Sequence, residues 1–194
     1  MTRRPVQVRV HLDAKGIRSL PAEDVRAILR AADPLIATGG RSLLAKVLRG
    51  SRASDVLSHD LDKNPCYGFY RDVSEEDVLA RIDWTILHGY LAIHYSGRLP
   101  FLVYTPAGWK IERETYADEI IRDFDAMLAG GVRPYPLDFL KDMNRELVFL
   151  VLDKIQAALD PKYLPVLEDW AQVDARKVRE RIHAVTQRIA DRPA

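Results

Sequence analysis

The sequence predicts an α+β chain that is mostly α, and three observations carry that expectation. Apolar residues recur at three- and four-residue spacing through most of the 194 residues. Only one pair of short β-prone runs interrupts them, residues 90–95 and 99–104, parted by Ser96-Gly97-Arg98, the pattern of a hairpin. Helix breakers recur between the periodic segments: Asp33-Pro34, Gly39-Gly40, Gly50, Gly89, Gly130-Gly131 and Asp160-Pro161.

Taken in order, Val6, Val8, Val10 and Leu12 alternate with polar residues, which predicts an N-terminal strand closed by Asp13, Lys15 and Gly16. Residues 1–20 thus form a strand and lead-in. Pro21 suits a first helical turn, and Val25, Ile28, Leu29 and Ala32 carry a helix to Asp33-Pro34. Leu43, Leu44, Val47 and Leu48 share one face of a short basic helix that Gly50 stops. Ser51 or Ser54 can cap a further short helix through Leu57, and the breaker-rich stretch 62–68 reads as a loop. Ser74 with Asp77 resembles a capping box and opens an amphipathic helix with Val78, Leu79, Ile82, Ile86 and Leu87 inward, ended by Gly89. The hairpin follows, closed by Thr105-Pro106-Ala107-Gly108. Three helices and then a hairpin is the order of a winged helix, the helix-turn-helix variant whose hairpin is the wing. Helical segments over 112–128, 136–159, 162–170 and 176–189 then make up an all-helical C-terminal domain from residue 111 onward.

Composition bounds function. A hydrophobic fraction of 47% and a charged fraction of 29% are ordinary globular values. No apolar run reaches the roughly 18 to 20 residues that cross a bilayer, and residues 1–9 lack the apolar stretch of a secretory leader. The expected compartment is the bacterial cytoplasm, with association to the nucleoid and none to membrane. Cys66 is the single cysteine, excluding an internal disulfide and cysteine-rich zinc sites. His11, His59, His88, His94 and His183 show no metal-ligand spacing, and no G-x-S-x-G, H-E-x-x-H or Walker A pattern occurs. The expectation is a protein with no cofactor, no metal and no enzymatic activity. Net charge is only +1, yet residues 1–56 hold 11 Lys/Arg against 5 Asp/Glu, and the remainder 18 against 23. Such clustering points to a polyanion-facing surface in the first part.

Four short motifs fall in a fixed order: Val47-Leu48-Arg49-Gly50-Ser51, Tyr67-Gly68, Gly89-Tyr90-Leu91 and Tyr104-Thr105-Pro106-Ala107-Gly108. In that order and spacing, the stretch from Ala22 to Trp109 resembles the RQC domain, the winged helix at the C-terminal side of RecQ helicases. The helicase core and the four-cysteine zinc subdomain are missing, so the resemblance is to a minor, free-standing branch of the family without a motor. It implies a winged-helix domain over 21–110 that binds duplex DNA through its backbone, at ends or branched structures, in repair, recombination or replication. It also implies that the R-G-S segment, Arg49-Gly50-Ser51, contacts phosphates, with Arg52 beside it where helix ends leave N–H groups free, and that the wing acts as a blade against a terminal base pair. Arg41, Ser42 and Lys46 would extend the phosphate track along the same basic helix. Arg81 is the one basic residue on the outer side of the helix in the recognition position. That helix otherwise exposes Glu75, Glu76, Asp77 and Asp83, which repel phosphates and argue against base reading in the major groove. At the wing, Tyr95, Arg98 and Leu99 lie at or beside the tip, where stacking and a phosphate contact can both be made. Two other readings stay open: a transcriptional regulator binding a specific operator, and a protein-interaction module. In either, the acidic C-terminal helices would supply a surface for self-association or a protein partner.

Overall fold

In the computed structural model, which describes residues 8–191, the chain divides into two compact units, residues 1–112 and 113–194. From residue 8, unit 1 runs through an irregular segment, then α1 (Ala22–Ala32), a 3-10 turn (Asp33–Leu35), α2 (Arg41–Leu48), α3 (Ser54–Leu57), α4 (Glu75–Leu87), and strands β1 (Leu91–Ser96) and β2 (Leu99–Tyr104). Helix α5 (Pro106–Gly130) contains the boundary, and unit 2 continues with α6 (Arg145–Ala158), α7 (Leu164–Val173) and α8 (Arg176–Ala190).

The helices of unit 1 bury most of the positions that periodicity singled out. Ile28, Leu29, Leu44, Val47, Leu48, Val78 and Ile82 are fully enclosed, and Leu91 and Leu102 bring the wing into the same core. Ser74 caps α4, its hydroxyl accepting from the Asp77 N–H at 3.2 Å. Strands β1 and β2 pair antiparallel in the register Leu91 with Tyr104 through Ser96 with Leu99, so Gly97 and Arg98 alone form the turn. Gly97 takes φ +61, the left-handed conformation a two-residue hairpin asks for.

Four expectations need correcting. No strand forms over residues 8–12; Val8 donates one backbone bond to Arg98 O, and Val6 lies outside the described residues. Period-two alternation makes a strand only where an edge accepts a full ladder, and a single bond at the wing turn supplies none. Leu87, expected inward, is 57% exposed, because the last turn of α4 overshoots the core. Asp83, expected on the outer side of α4, is 2% exposed and faces inward. The helix expected over 136–159 is broken: a 3-10 turn at Asp138–Asp142 precedes α6, whose cap is Asn144, its side chain accepting from the Glu146 N–H at 2.8 Å.

Unit 2 has its own core, in which α8 packs against α6 and α7. Phe124 and Trp170 meet edge to face at 5.7 Å, and Leu152, Ile155 and Val185 are likewise buried.

Candidate nucleic-acid interface

The corner after α2 is built by two glycines. Gly50 and Gly68 both have positive φ, +70 and +75, and a Cβ on Gly50 would lie 3.1 Å from the Gly68 Cα. The close approach lets the Gly68 and Tyr70 N–H groups donate to Val47 O and Leu48 O at 3.0 and 2.7 Å, while the Tyr67 hydroxyl donates to Ser51 O at 3.1 Å. The V-L-R-G-S and Y-G motifs are therefore two sides of one hydrogen-bonded joint. The other two motifs interlock in the same way. The Thr105 hydroxyl donates to Gly89 O at 2.5 Å and accepts from the Gly108 N–H at 3.1 Å. A Cβ on Gly108 would lie 1.9 Å from Tyr90 O, so only glycine lets the start of α5 cross the α4 exit.

These joints set Arg49, Ser51 and Arg52 side by side at the surface between α2 and α3. Ser51 Oγ accepts from the Ala53 N–H at 3.3 Å, turning the chain into α3, which carries no side-chain cap. Arg49 is tethered: Nε donates to Val73 O at 3.1 Å and Nη1 lies 3.5 Å from Glu75. Lys46 donates to Asp55 at 2.6 Å, an ion pair that holds the Asp55 carboxyl below its ordinary range. Arg52 is exposed, and among the described residues nothing engages its side chain. Ser42 and Lys46 line a groove of about 500 Å³ with Val10, Ile93 and Phe101, between the start of α2 and the wing.

Arg41 is not on this track. Its Nη1 donates to both oxygens of buried Asp83 at 2.7 and 2.6 Å and to His11 O at 3.0 Å, and Asp83 also accepts from the Asp13 N–H at 2.8 Å. A desolvated carboxylate needs such partners, so the cation serves the fold by joining α2, α4 and the N-terminal segment. Arg81 is likewise occupied: it donates to Asp77 O at 2.9 Å and lies 5.3 Å over the Tyr70 ring. The acidic start of α4 is partly neutralised from a distance that sequence does not reveal. Lys15 binds Glu76 at 2.8 Å and Asp77 at 3.4 Å, which raises the lysine pKa, chiefly through the Glu76 bond. With the Ser74 hydroxyl first and Lys15 second, these bonds hold Asp77 below its ordinary value.

At the wing, Leu99 is 70% exposed and Arg98 is exposed with no side-chain partner among the described residues. Tyr95 is half-buried opposite Pro100, and His94 meets Phe101 edge to face at 6.2 Å. Of the cationic and apolar groups that the sequence predicts for the site, three are left uncommitted among the described residues, Arg52, Arg98 and Leu99. Lys46 and Arg49 are held by carboxylates, and Arg41 and Arg81 are turned to internal work.

Three longer helices, α1, α2 and α4, with the single turn α3, an extended loop and a two-stranded wing define unit 1 as a winged helix. The family model described as RQC domain matches residues 22–124, running past the stretch that the motifs alone delimit and further along α5. The chain belongs to the RQC family, and its winged helix is DNA-binding at the level of that family. No curated protein and no solved structure matches it. Among the described residues no helix is long and apolar enough to cross a membrane.

Proposed function

We propose that the winged helix binds duplex DNA at ends, forks or junctions, by backbone contacts from Arg52, Ser51, Arg49 and Lys46 and by apolar contact from the wing tip, and that it acts by binding alone, without a chemical step. The process served is repair, recombination or replication. The observation that carries this reading is the wing tip: a two-residue turn presents Leu99, 70% exposed, beside an uncommitted Arg98. An isolated large apolar residue on a rigid hairpin fits a terminal base pair, whose face is open only at an end or branch. Base reading by α4 is disfavoured because its first turn is acidic, Glu75, Glu76 and Asp77.

The test compares fluorescence-anisotropy affinities for blunt duplex, forked, Holliday-junction and covalently closed circular DNA. Leu99→Ala should weaken binding to ends and forks by about fivefold or more, from a lost base contact, and leave the closed circle unchanged. Equal loss on all four substrates defeats the wing-tip reading.

A further inference from the structure

The second unit is acidic overall, but its last helix is not. Over Arg176–Ala190, α8 carries Arg176, Lys177, Arg179, Arg181 and Arg188 against the single acid Glu180, whereas the rest of residues 113–194 holds 8 Lys/Arg against 14 Asp/Glu. Two of these cations are used within the unit: Arg176 binds Glu180 at 2.8 Å and Arg181 binds Asp153. Lys177, Arg179 and Arg188 are exposed, and among the described residues no carboxylate pairs with them. At about 100° per residue, Lys177 and Arg188 fall on one flank of the outer face, with Arg179 and His183 on the other.

The same helix separates its residues sharply by chemistry. Val178, Ile182, Val185 and Ile189 are buried, and no apolar residue larger than alanine is exposed. A protein partner needs apolar or aromatic anchors at the centre of its contact, and this face offers none. A phosphate backbone needs only spaced cations, and arginine forks suit phosphate oxygens in particular.

We propose that the outer face of α8 is a second, sequence-independent contact for the sugar-phosphate backbone of duplex DNA, made by Lys177, Arg179 and Arg188. This rests in part on the reading that the winged helix binds DNA, since a second contact adds to the affinity of a first through high local concentration.

The test uses the full chain and a fluorescently labelled 40-base-pair duplex of arbitrary sequence, with affinity measured across salt concentrations. The triple variant Lys177→Gln, Arg179→Gln, Arg188→Gln should keep its helical circular dichroism. It should lose about tenfold in affinity at low salt, and its salt slope should fall by about 2 to 3, one step of roughly 0.9 per lost phosphate contact. The charge-preserving variant Arg179→Lys, Arg188→Lys should bind as the wild type does. Wild-type affinity and slope in the triple variant overturn the proposal, as does an equal loss in the charge-preserving one. Arg52→Gln, Arg98→Gln is run alongside. Loss in that variant alone overturns the α8 contact and leaves the winged-helix reading standing; loss in the α8 variant alone does the reverse. A wild type that binds no duplex at all overturns both.

Discussion

Replacing Gly108 with alanine separates a structural motif from a DNA-contacting one. Its φ is not in the left-handed region, so the backbone itself tolerates alanine; the obstacle is Tyr90, whose carbonyl oxygen would lie 1.9 Å and carbonyl carbon 2.8 Å from the new Cβ. Both atoms belong to main chain that cannot swing away as a side-chain end would. Reaching ordinary contact requires α5 and the α4 exit to part by more than an ångström. Overpacking of this kind costs about 1 to 3 kcal/mol. Parting the two segments also pulls the Thr105 hydroxyl from Gly89 O and from the Gly108 N–H, bonds worth roughly 0.5 to 1.5 kcal/mol each. Alanine's better helix propensity returns less than about 1 kcal/mol. The net destabilisation is about 3 kcal/mol, which for a unit of this size lowers the melting temperature by roughly 10 to 25 °C. Thermal unfolding followed by circular dichroism measures it, and anisotropy at a temperature where the variant remains folded should give unchanged DNA affinity. A fall of less than 3 °C, or full stability with weakened binding, would refute the interlock and make the motif a contact.

Other outcomes follow from the ion pairs. Asp55→Asn with Glu75→Gln frees Lys46 and Arg49 for phosphate, and because exposed pairs are weak the duplex affinity should rise by about two- to tenfold with a steeper salt slope; anisotropy titrations at two salt concentrations check this, and unchanged affinity removes both cations from the interface. In unit 2, burial pushes the Asp174 carboxyl up, but bonds from Arg145, Trp170 Nε1 and the Ala175 N–H outweigh it and hold the pKa below its ordinary 3.8. A carboxyl depressed in the folded state contributes stability that is complete above its unfolded value and lost as pH falls through its folded one. Unit 2 should therefore lose stability in acid below about pH 4, and Asp174→Asn should be less stable at neutral pH with a flatter acid limb in denaturant titrations.

Much of unit 1 was legible in the residues. Spacing located α1, α2, α4 and the hairpin because their apolar faces meet one core, and Ser74, Gly97 and Gly89 marked ends whose geometry is local. The four motifs named the family, yet their physical meaning was not local: Gly50 with Gly68, and Gly108 with Tyr90, are constrained by a second backbone lying against them. The site was less legible than the fold. The family resemblance, together with charge and position on the helices and wing, picked out Arg41, Lys46, Arg49, Arg52, Arg81, Arg98 and Leu99 as basic or apolar in the right places, and could say nothing of their partners. Asp83 lies 42 residues from Arg41, Glu76 lies 61 from Lys15, and Glu75 lies 26 from Arg49. Sequence alone thus determined which segments are helix or hairpin, since those depend on neighbours three or four positions away, and which family they make, since the motifs keep their order along the chain. Only the tertiary structure decided which cations remain free for DNA, because a charge is committed or available according to what the folded chain brings within a few ångströms of it.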